Sequence, residues 1–246
     1  MKLIPKRLKR EPLIEAIWQV QFEAANAGEL LPGLLYAQLH KRYPEVEVHR
    51  LPTADIPAAI TQSDPTLRFG ARIRLAPRQA ASLWQVGDRV VTLNCQPPHT
   101  EWESFKEAIL DLIEVIEECR LIPQPQRHSL RYIDLLTEDD LPDLSALQFT
   151  MQLGTQQVRN LPLQTRLELS ENGWQHVIQI ATPAHVQLPD GGKVGTIIDL
   201  ETFPGEPLES WEQARSHLDT LHLRSRQLLF DQVLTAQAIE QLEPEY

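Results

Sequence analysis

The chain has 246 residues, and 42% of them are hydrophobic, a proportion typical of folded globular proteins that excludes wholesale disorder. Its 34 acidic side chains outnumber the 23 Lys and Arg, which gives a net charge of −11. This charge excludes a protein that coats nucleic acid without sequence preference, because such proteins bind by neutralising phosphates. Glycine is scarce, with 10 residues, which argues against doubly wound nucleotide folds, because these need glycine between strand and helix, whereas the 19 Pro suit antiparallel strands and loops.

The first predicted elements are a strand and a helix. Apolar and polar side chains alternate over residues 15–23, which predicts a half-buried strand. One apolar helical stripe is predicted next, formed by Leu30, Leu31, Leu34, Leu35 and Leu39. Because proline is tolerated only in the first turn of a helix, Pro32 predicts a start near Leu31, and Pro44 predicts the end.

Alternation is clearest over residues 67–75, where apolar side chains alternate with Arg68, Gly70, Arg72 and Arg74 and predict a strand. A hairpin is predicted next, with strands over residues 83–86 and 90–95. Thr100 and Glu103 have the spacing of a capping box, and a long amphipathic helix over residues 101–119 is predicted after them. A strand over residues 127–136 follows.

The acidic run over residues 138–143 contains a proline and predicts a linker. Beyond it, strands are predicted near residues 149–153 and 161–169, and Asn172-Gly173 predicts a tight hairpin turn into a further strand. A turn at residues 190–192 leads to the last predicted strand. Ser210 and Gln213 have capping-box spacing and predict a long C-terminal helix from about residue 210.

These elements predict an α+β protein with a mainly antiparallel sheet in two closely packed lobes. The first lobe covers residues 1–138 and contains strands and helices. The second covers residues 144–246, is rich in strands and ends in the long helix. One continuous domain is the alternative organisation.

Three arginines of the predicted strand, Arg68, Arg72 and Arg74, form what we call the arginine stripe. It is a candidate binding surface for an anion, a nucleic-acid strand or an acidic partner. The alternative is a solvated sheet face on which neighbouring carboxylates compensate the charges, because antiparallel sheets commonly leave one face polar. Trp211, at the start of the last helix, is a second candidate for an interface. A flexible, solvated arm is predicted for the basic start of the chain, with Lys2, Lys6, Arg7, Lys9 and Arg10.

No catalytic residue, metal site or cofactor is predicted, because no known catalytic motif or zinc-ligand spacing is complete. Cys95 and Cys119 lie far apart and form neither a disulfide framework nor a CxxC site, which favours a reducing cytoplasm. No apolar run reaches the ~18–20 residues of a membrane helix, and no apolar core follows the basic start, so neither a membrane span nor a signal peptide is expected.

Several short motifs in a fixed order resemble a family of sporadically distributed, functionally uncharacterised prokaryotic proteins of about this length. They are EPLIEA (11–16), YP (43–44), QVGDR (85–89), WESF (102–105), LRYID (130–134), residues 218–222, and Phe230 ahead of Thr235. Two positions depart from the family pattern: Asp134 replaces a more usual Asn, and Leu223 replaces an expected acidic residue. No activity and no catalytic residue is established for this family, so the resemblance assigns neither to this chain. The family's patchy distribution implies horizontal transfer, and genes of that kind are often linked to defence or toxin–antitoxin loci.

The favoured hypothesis is a non-catalytic, protein-binding component of a prokaryotic defence or toxin–antitoxin type system, with a protein partner encoded nearby. The first alternative is an accessory subunit that binds nucleic acid or a nucleotide through the arginine stripe. The second is an enzyme in which distant strands bring Asp134, Asp199 and Glu201 into one pocket. A homo-oligomer is compatible with all three.

Overall fold

The computed structural model of the chain describes residues 4–24, 27–64, 67–78, 81–99, 101–137, 144–158, 162–188 and 191–246. Within these ranges the helices are α1 (Ala27–Arg42), α2 (Ala58–Ser63), α3 (Trp102–Glu118), α4 (Trp211–Leu228) and α5 (Ala236–Gln241). The strands are β1 (Arg7–Leu8), β2 (Leu13–Phe22), β3 (Val46–Arg50), β4 (Ala71–Pro77), β5 (Ser82–Gly87), β6 (Val90–Cys95), β7 (Pro125–Thr137), β8 (Gln152–Leu153), β9 (Gln156–Gln157), β10 (Leu163–Glu171), β11 (Trp174–Leu188), β12 (Gly191–Pro204) and β13 (Pro244–Glu245). A π-helical turn over Leu229–Val233 continues α4.

A large antiparallel sheet dominates the fold and makes the protein α+β, as predicted. Its nine strands lie in the order β10-β11-β12-β7-β2-β6-β5-β4-β3. Two small sheets pair β1 with β13 and β8 with β9. The long helices predicted over residues 101–119 and from about residue 210 are α3 and α4.

The chain divides into two compact units. The first unit comprises Met1–Ile14, Arg131–Thr202 and Thr220–Tyr246, and the second comprises Glu15–Leu130 and Phe203–Asp219. The linker predicted over residues 138–143 lies outside the described residues, so the boundary between residues 1–138 and 144–246 stays a prediction.

The core of the second unit lies on one face of its strands. Trp18, Val20 and Phe22 alternate along β2 and have no exposed surface. In register, Trp18 stands opposite Leu93, and Leu93 stands opposite Trp84, so the apolar face continues across β6 and β5. The helices α1 and α3 contact β5 and β6 and bury their own apolar stripes in the same core.

The helix α1 differs from its prediction in two respects. It begins at Ala27, four residues before Leu31, so Pro32 lies inside the helix. Pro32 has no amide proton to donate to the carbonyl of residue 28, and its ring crowds that carbonyl, but the buried side chains of α1 stabilise the helix across this position. The predicted single stripe of five leucines is also wrong: Leu31, Leu35 and Leu39 are buried, whereas two others are 51% and 41% exposed, namely Leu30 and Leu34.

Helix starts are only partly as predicted. Thr100, the predicted cap of α3, lies outside the described residues, and the N-cap position is held by Glu101, whose side chain makes no capping bond. At α4 the capping prediction is confirmed, because Ser210 Oγ accepts the Gln213 amide proton at 3.1 Å. The Gln213 side chain bonds back to the Glu209 amide at 2.8 Å.

The first unit is built around the hairpin of β10 and β11. Its two-residue turn is the predicted one, with Asn172 and Gly173 at φ values of 50° and 81°. An apolar cluster from β7, β11, β12 and the C-terminal helices forms the core, and its members include Leu136, Ile178, Ile198 and Phe230. The strand predicted near residues 149–153 is only the two-residue β8.

The basic N-terminal segment is held by backbone hydrogen bonds, which corrects the prediction of a flexible arm. The amides of Lys6, Lys9 and Arg10 bond to carbonyl oxygens at residues 245, 243 and 242, at 2.6, 3.1 and 3.2 Å. β1 thus closes a small sheet with β13. Pairing satisfies backbone groups that a solvated arm would leave to water. Lys2 lies outside the described residues.

Candidate functional site

The arginine stripe does not form one row in the structure. The strand β4 begins at Ala71, and Arg68 lies in the turn before it. Arg68 forms an ion pair with Glu23, and the same carboxylate accepts a hydrogen bond from Arg89 Nη1 at 2.8 Å. One carboxylate therefore serves two guanidinium groups, and the Arg68 charge is compensated within its own unit.

Arg72 lies at a β-bulge, where the register of β4 with β5 shifts between Ala71 and Ile73. Bulges redirect a side chain. Here the Arg72 Nη1 donates to both carboxylate oxygens of Asp88, at 2.9 and 3.2 Å. This cation also has an anion beside it, which is the arrangement expected of a solvated and charge-compensated sheet face.

Arg74 has a different environment from the other two arginines. Its Nε atom is buried and makes no hydrogen bond within the part of the chain that the structure describes. In register, Arg74 stands opposite His49 and Gln85, and the row continues across β6 and β2 through Thr92 and Gln19. We call these five residues the polar row.

The polar row lies on the face of the sheet away from α1 and α3, because its residues alternate with the buried apolar ones. Thr92 and Asn94 are 7% and 4% exposed. Thr92 Oγ1 donates to Asn94 Oδ1 at 2.5 Å, and Asn94 Nδ2 donates to Glu15 Oε1 at 2.9 Å. Besides the Arg74 guanidinium and the Glu15 carboxylate, this face presents neutral donors and acceptors, which suit recognition of a polar group.

The three carboxylates of the enzyme hypothesis do not form one site. Arg131 and Tyr132 are adjacent on β7 and point to opposite faces. Arg131 binds Asp199, whereas Tyr132 Oη lies 2.8 Å from His222 Nδ1 on α4. Asp134 shares the Tyr132 face by alternation, so Asp134 and Asp199 lie on opposite faces of the sheet. Glu201 shares the face of Asp199.

Asp199 is held by structural contacts. The Nε atom of Arg131 donates to its Oδ1 at 2.6 Å, and Nη2 of the same side chain bonds to Oδ2. Gln179 Nε2 donates to Oδ2 at 3.2 Å. The carboxylate, whose residue is 8% exposed, is thus fixed by charge-assisted bonds.

Trp211 is a core residue of the second unit. It is 5% exposed, and its indole Nε1 donates to the carbonyl oxygen of Ile122 at 3.3 Å. Both the ring and the polar group of the indole are therefore used inside the unit. A partner would reach only the small exposed part of this side chain.

His128 is a buried histidine to which the sequence assigned no role. None of its surface is exposed, and its Nδ1 accepts a hydrogen bond from the Trp18 indole Nε1, with 3.4 Å between the two nitrogens. Burial, and secondarily the nearby His217, lowers the pKa of His128 to about 3. The imidazole is therefore neutral at physiological pH, which lets Nδ1 accept a hydrogen bond.

The exposed side of α1 is the most continuous apolar surface that we find on a single described helix. It consists of Leu30, Gly33, Leu34 and Ala37, all exposed, and we call it the α1 surface. Their spacing of i, i+3, i+4 and i+7 places them on one face of the helix. A Cβ built on Gly33 meets no atom within 4 Å, so Gly33 faces open space beside Leu34.

The sequence does contain a signal for the α1 surface. Leucine occurs in adjacent pairs, 30–31 and 34–35, spaced four residues apart. Neighbouring residues on a helix lie about 100° apart, so such pairs form two parallel stripes. A single core covers only one of them.

Two cavities of the first unit have volumes of about 240 and 210 Å³. Leu144, Phe149 and Met151 are among the side chains that line the first, and Thr235 and Gln241 are among those of the second. Among the described residues that line the two cavities, none has a titratable side chain that could act as a general acid or base.

Among the described residues, no three His, Cys, Asp or Glu side chains gather closely enough to hold a metal ion. Cys95 and Cys119 form no disulfide bond, and burial, followed by the neighbouring Glu118, raises the pKa of the Cys119 thiol. In the described ranges, no helix combines the length and the apolar character that crossing a bilayer requires.

Comparison with models of known protein families gives no match, and neither does comparison with curated protein sequences. The resemblance to the sporadically distributed prokaryotic family therefore stays a prediction.

Proposed function

We propose that this chain is a non-catalytic component that binds a protein partner through the α1 surface. The observation that carries the proposal is the exposure of Leu30 and Leu34, at 51% and 41%, one turn apart on a helix whose opposite side is buried. Apolar side chains at this spacing, flanked by small residues, are typical of a surface that receives another helix.

The partner element that fits is an amphipathic helix with acidic residues in its first turn. The last turn of α1 is basic, with His40, Lys41 and Arg42. Arg42 is paired with Asp111 at 2.5 Å, but Lys41 Nζ donates at 2.9 Å to Gln38, a neutral side chain. An antiparallel partner helix brings its N-terminal turn, where acidic residues are favoured, to this basic end.

The placement of the ionisable residues supports a non-catalytic role. Arg68, Arg72 and Asp199 are each paired with an opposite charge, and Asp134 lies on the other face of the sheet from Asp199. Such pairs hold a fold together without presenting a general base or a nucleophile to a substrate.

The setting that we propose is a prokaryotic defence or toxin–antitoxin type system in the cytoplasm, with the partner encoded next to this gene. The family resemblance supports the choice of a defence or toxin–antitoxin type system. Cys95 and Cys119 form no disulfide bond, which supports the reducing cytoplasm as the compartment.

The test is to co-express the chain with the product of each adjacent gene and to measure the dissociation constant of the purified pair by calorimetry. We expect Leu34→Glu to weaken the complex by roughly tenfold or more, because a carboxylate then enters an apolar contact. Leu223→Glu is the matched control, since Leu223 is 51% exposed on α4. Circular dichroism of each variant verifies the fold.

Two outcomes would contradict the proposal. One is a complex that Leu30→Glu and Leu34→Glu together leave unchanged, or that Leu223→Glu weakens equally. The other is a metal- or nucleotide-dependent turnover by the purified chain that a single substitution abolishes.

A second candidate function, binding of nucleic acid or a nucleotide, is favoured by one observation: the buried Nε of Arg74 makes no hydrogen bond to any residue that the structure describes. The test replaces Arg68, Arg72 and Arg74 with Gln and measures binding of a single-stranded oligonucleotide against salt. A shallower log–log slope would support phosphate contacts by these arginines, and an unchanged slope would remove this candidate.

A further inference from the structure

The strand β10 forms one edge of the nine-stranded sheet. It pairs with β11 along its whole length, from Leu163 opposite Thr182 to Glu171 opposite Trp174. On its other side no strand of the described ranges pairs with it. An edge of this length presents a row of backbone donors and acceptors to any strand that fits it.

The hairpin turn determines which backbone groups face this open edge. In a two-residue hairpin, the residues on either side of the turn exchange both backbone hydrogen bonds, and these are Glu171 and Trp174. Bonding toward β11 then recurs at every second residue, on the odd-numbered positions. The amides and carbonyls that face outward belong to Gln164, Arg166, Glu168 and Ser170.

The charged side chains of this edge are arranged for pairing with a copy of itself. Arg166 and Glu168 are two residues apart, point to the same face and contact each other at 2.9 Å. In an antiparallel pair of two β10 strands centred on Leu167, Arg166 of each copy stands opposite Glu168 of the other. Centring on Arg166 or Glu168 places like charges opposite each other, so charge selects the register at Leu167.

The backbone agrees with this register. Centring on Leu167 pairs Arg166 with Glu168 and Gln164 with Ser170, which are the four residues whose groups face outward. Each such pair exchanges two hydrogen bonds, about eight in total across the two-fold axis. Leu167 then occupies a pair without backbone hydrogen bonds, in which opposing side chains come closest.

The apolar face of β10 also gains from this pairing. Leu163 and Leu167 pack against the core cluster of the first unit, whereas Leu169 is 39% exposed. In the same register Leu167 meets its counterpart, and Leu169 stands opposite Thr165. The contact covers apolar surface that a single copy leaves in water.

We propose that two copies of this chain form a symmetric dimer by antiparallel pairing of β10, centred on Leu167. The interface is isologous, because each copy contributes the same nine residues. The proposal is independent of the protein-binding function above, since α1 and β10 are different elements of different units.

The test is sedimentation equilibrium of the purified chain over a concentration series. We expect a mass of twice 28.1 kDa at high concentration. Glu168→Arg places two arginines opposite each other and should raise the dimer dissociation constant roughly tenfold or more. The charge-swapped double variant, Arg166→Glu with Glu168→Arg, restores opposite charges and should restore the dimer. Glu206→Arg makes the same charge change in an exposed loop and should have no effect.

A second variant tests the backbone directly. Glu168→Pro removes an amide that bonds only outward, so the pairing with β11 is kept. We expect a monomer with the wild-type circular dichroism spectrum. A wild-type chain that stays monomeric up to about 200 µM would overturn the proposal, and so would a dimer that Glu168→Arg leaves intact.

Discussion

The imidazole of His128 shows how burial removes a titratable group from chemistry. In the folded chain it lies beside Trp18 and His217 with no exposed surface. A charged imidazolium there would lose its hydration and could no longer accept the hydrogen bond from the Trp18 indole. The unfolded chain gives the same residue its ordinary pKa, near 6.5. Folding and protonation are therefore opposed at this residue.

Stability should fall in acid because of His128. Its folded pKa of about 3 lies below the unfolded value. The stabilisation that comes from keeping His128 neutral is fully present above about pH 6.5. As the pH falls toward 3, its loss lowers the free energy of unfolding by up to ~1.4 kcal/mol per pH unit. We expect urea unfolding of His128→Gln to depend less steeply on pH between about 6 and 4 than that of wild type. His40→Gln, at an exposed histidine, is the control, and equal slopes for both variants would contradict the prediction.

Arg131 and Asp199 should be coupled in stability. The Asp199 side chain is 11% exposed and that of Arg131 is 39% exposed, so solvent screens the pair only in part. We expect a double-mutant cycle with Arg131→Gln and Asp199→Asn, measured by urea unfolding, to give a coupling of about 1 kcal/mol. A coupling near zero would contradict the structural role of Asp199 and return it to the list of candidate catalytic groups.

At the scale of elements, α1 shows that one helix can carry two different surfaces. Leu31, Leu35 and Leu39 pack inside, and the α1 surface faces solvent. Its two glycines also differ. A Cβ on Gly28 would lie 2.7 Å from the Asp88 Cα, whereas Gly33 faces open space. The close approach of α1 to the turn that holds Asp88, the partner of Arg72, therefore requires glycine at position 28.

The two glycines of α1 should respond to alanine in opposite directions. Gly28→Ala should lower the free energy of unfolding by about 1–3 kcal/mol, because backbone atoms must move apart. Gly33→Ala should raise it by about 0.5–1 kcal/mol, since alanine favours helix and meets no neighbour. Thermal or urea unfolding of both variants measures the difference. A stabilising Gly28→Ala would show that α1 does not rest against this turn.

At the scale of the whole molecule, the two edges of the large sheet are unequal. The edge strand β3 has five residues, and its Glu47, His49 and Arg50 are charged or polar. Short, charged edge strands resist pairing with other chains. The edge strand β10 has nine residues and a self-complementary pair of charges. Association through the sheet is therefore expected at β10.

Dimerisation of the folded chain should make its thermal stability depend on concentration. A folded dimer is favoured by mass action, so the unfolding midpoint should rise with protein concentration. The Glu168→Pro variant should unfold at a midpoint that does not change with concentration. Calorimetry over a hundredfold range of concentration measures both, and a wild-type midpoint that stays constant would contradict the dimer.

Local sequence patterns were sufficient to predict the features that residues close together in the chain form. Alternation located β2 and most of β4, the Asn172-Gly173 pair located its hairpin, and Ser210 located the start of α4. A turn or a cap is made by residues close in the chain, so its chemistry is written in the sequence.

The use of each surface was decided only by the tertiary structure. A period shows which residues share a face, but the partner that covers the face lies far away in the chain. For this reason the sequence alone did not separate the buried leucines of α1 from the exposed ones, pair Arg72 with Asp88, or place Asp134 and Asp199 on opposite faces. The same holds for β10, because its position at an edge depends on the order of all nine strands.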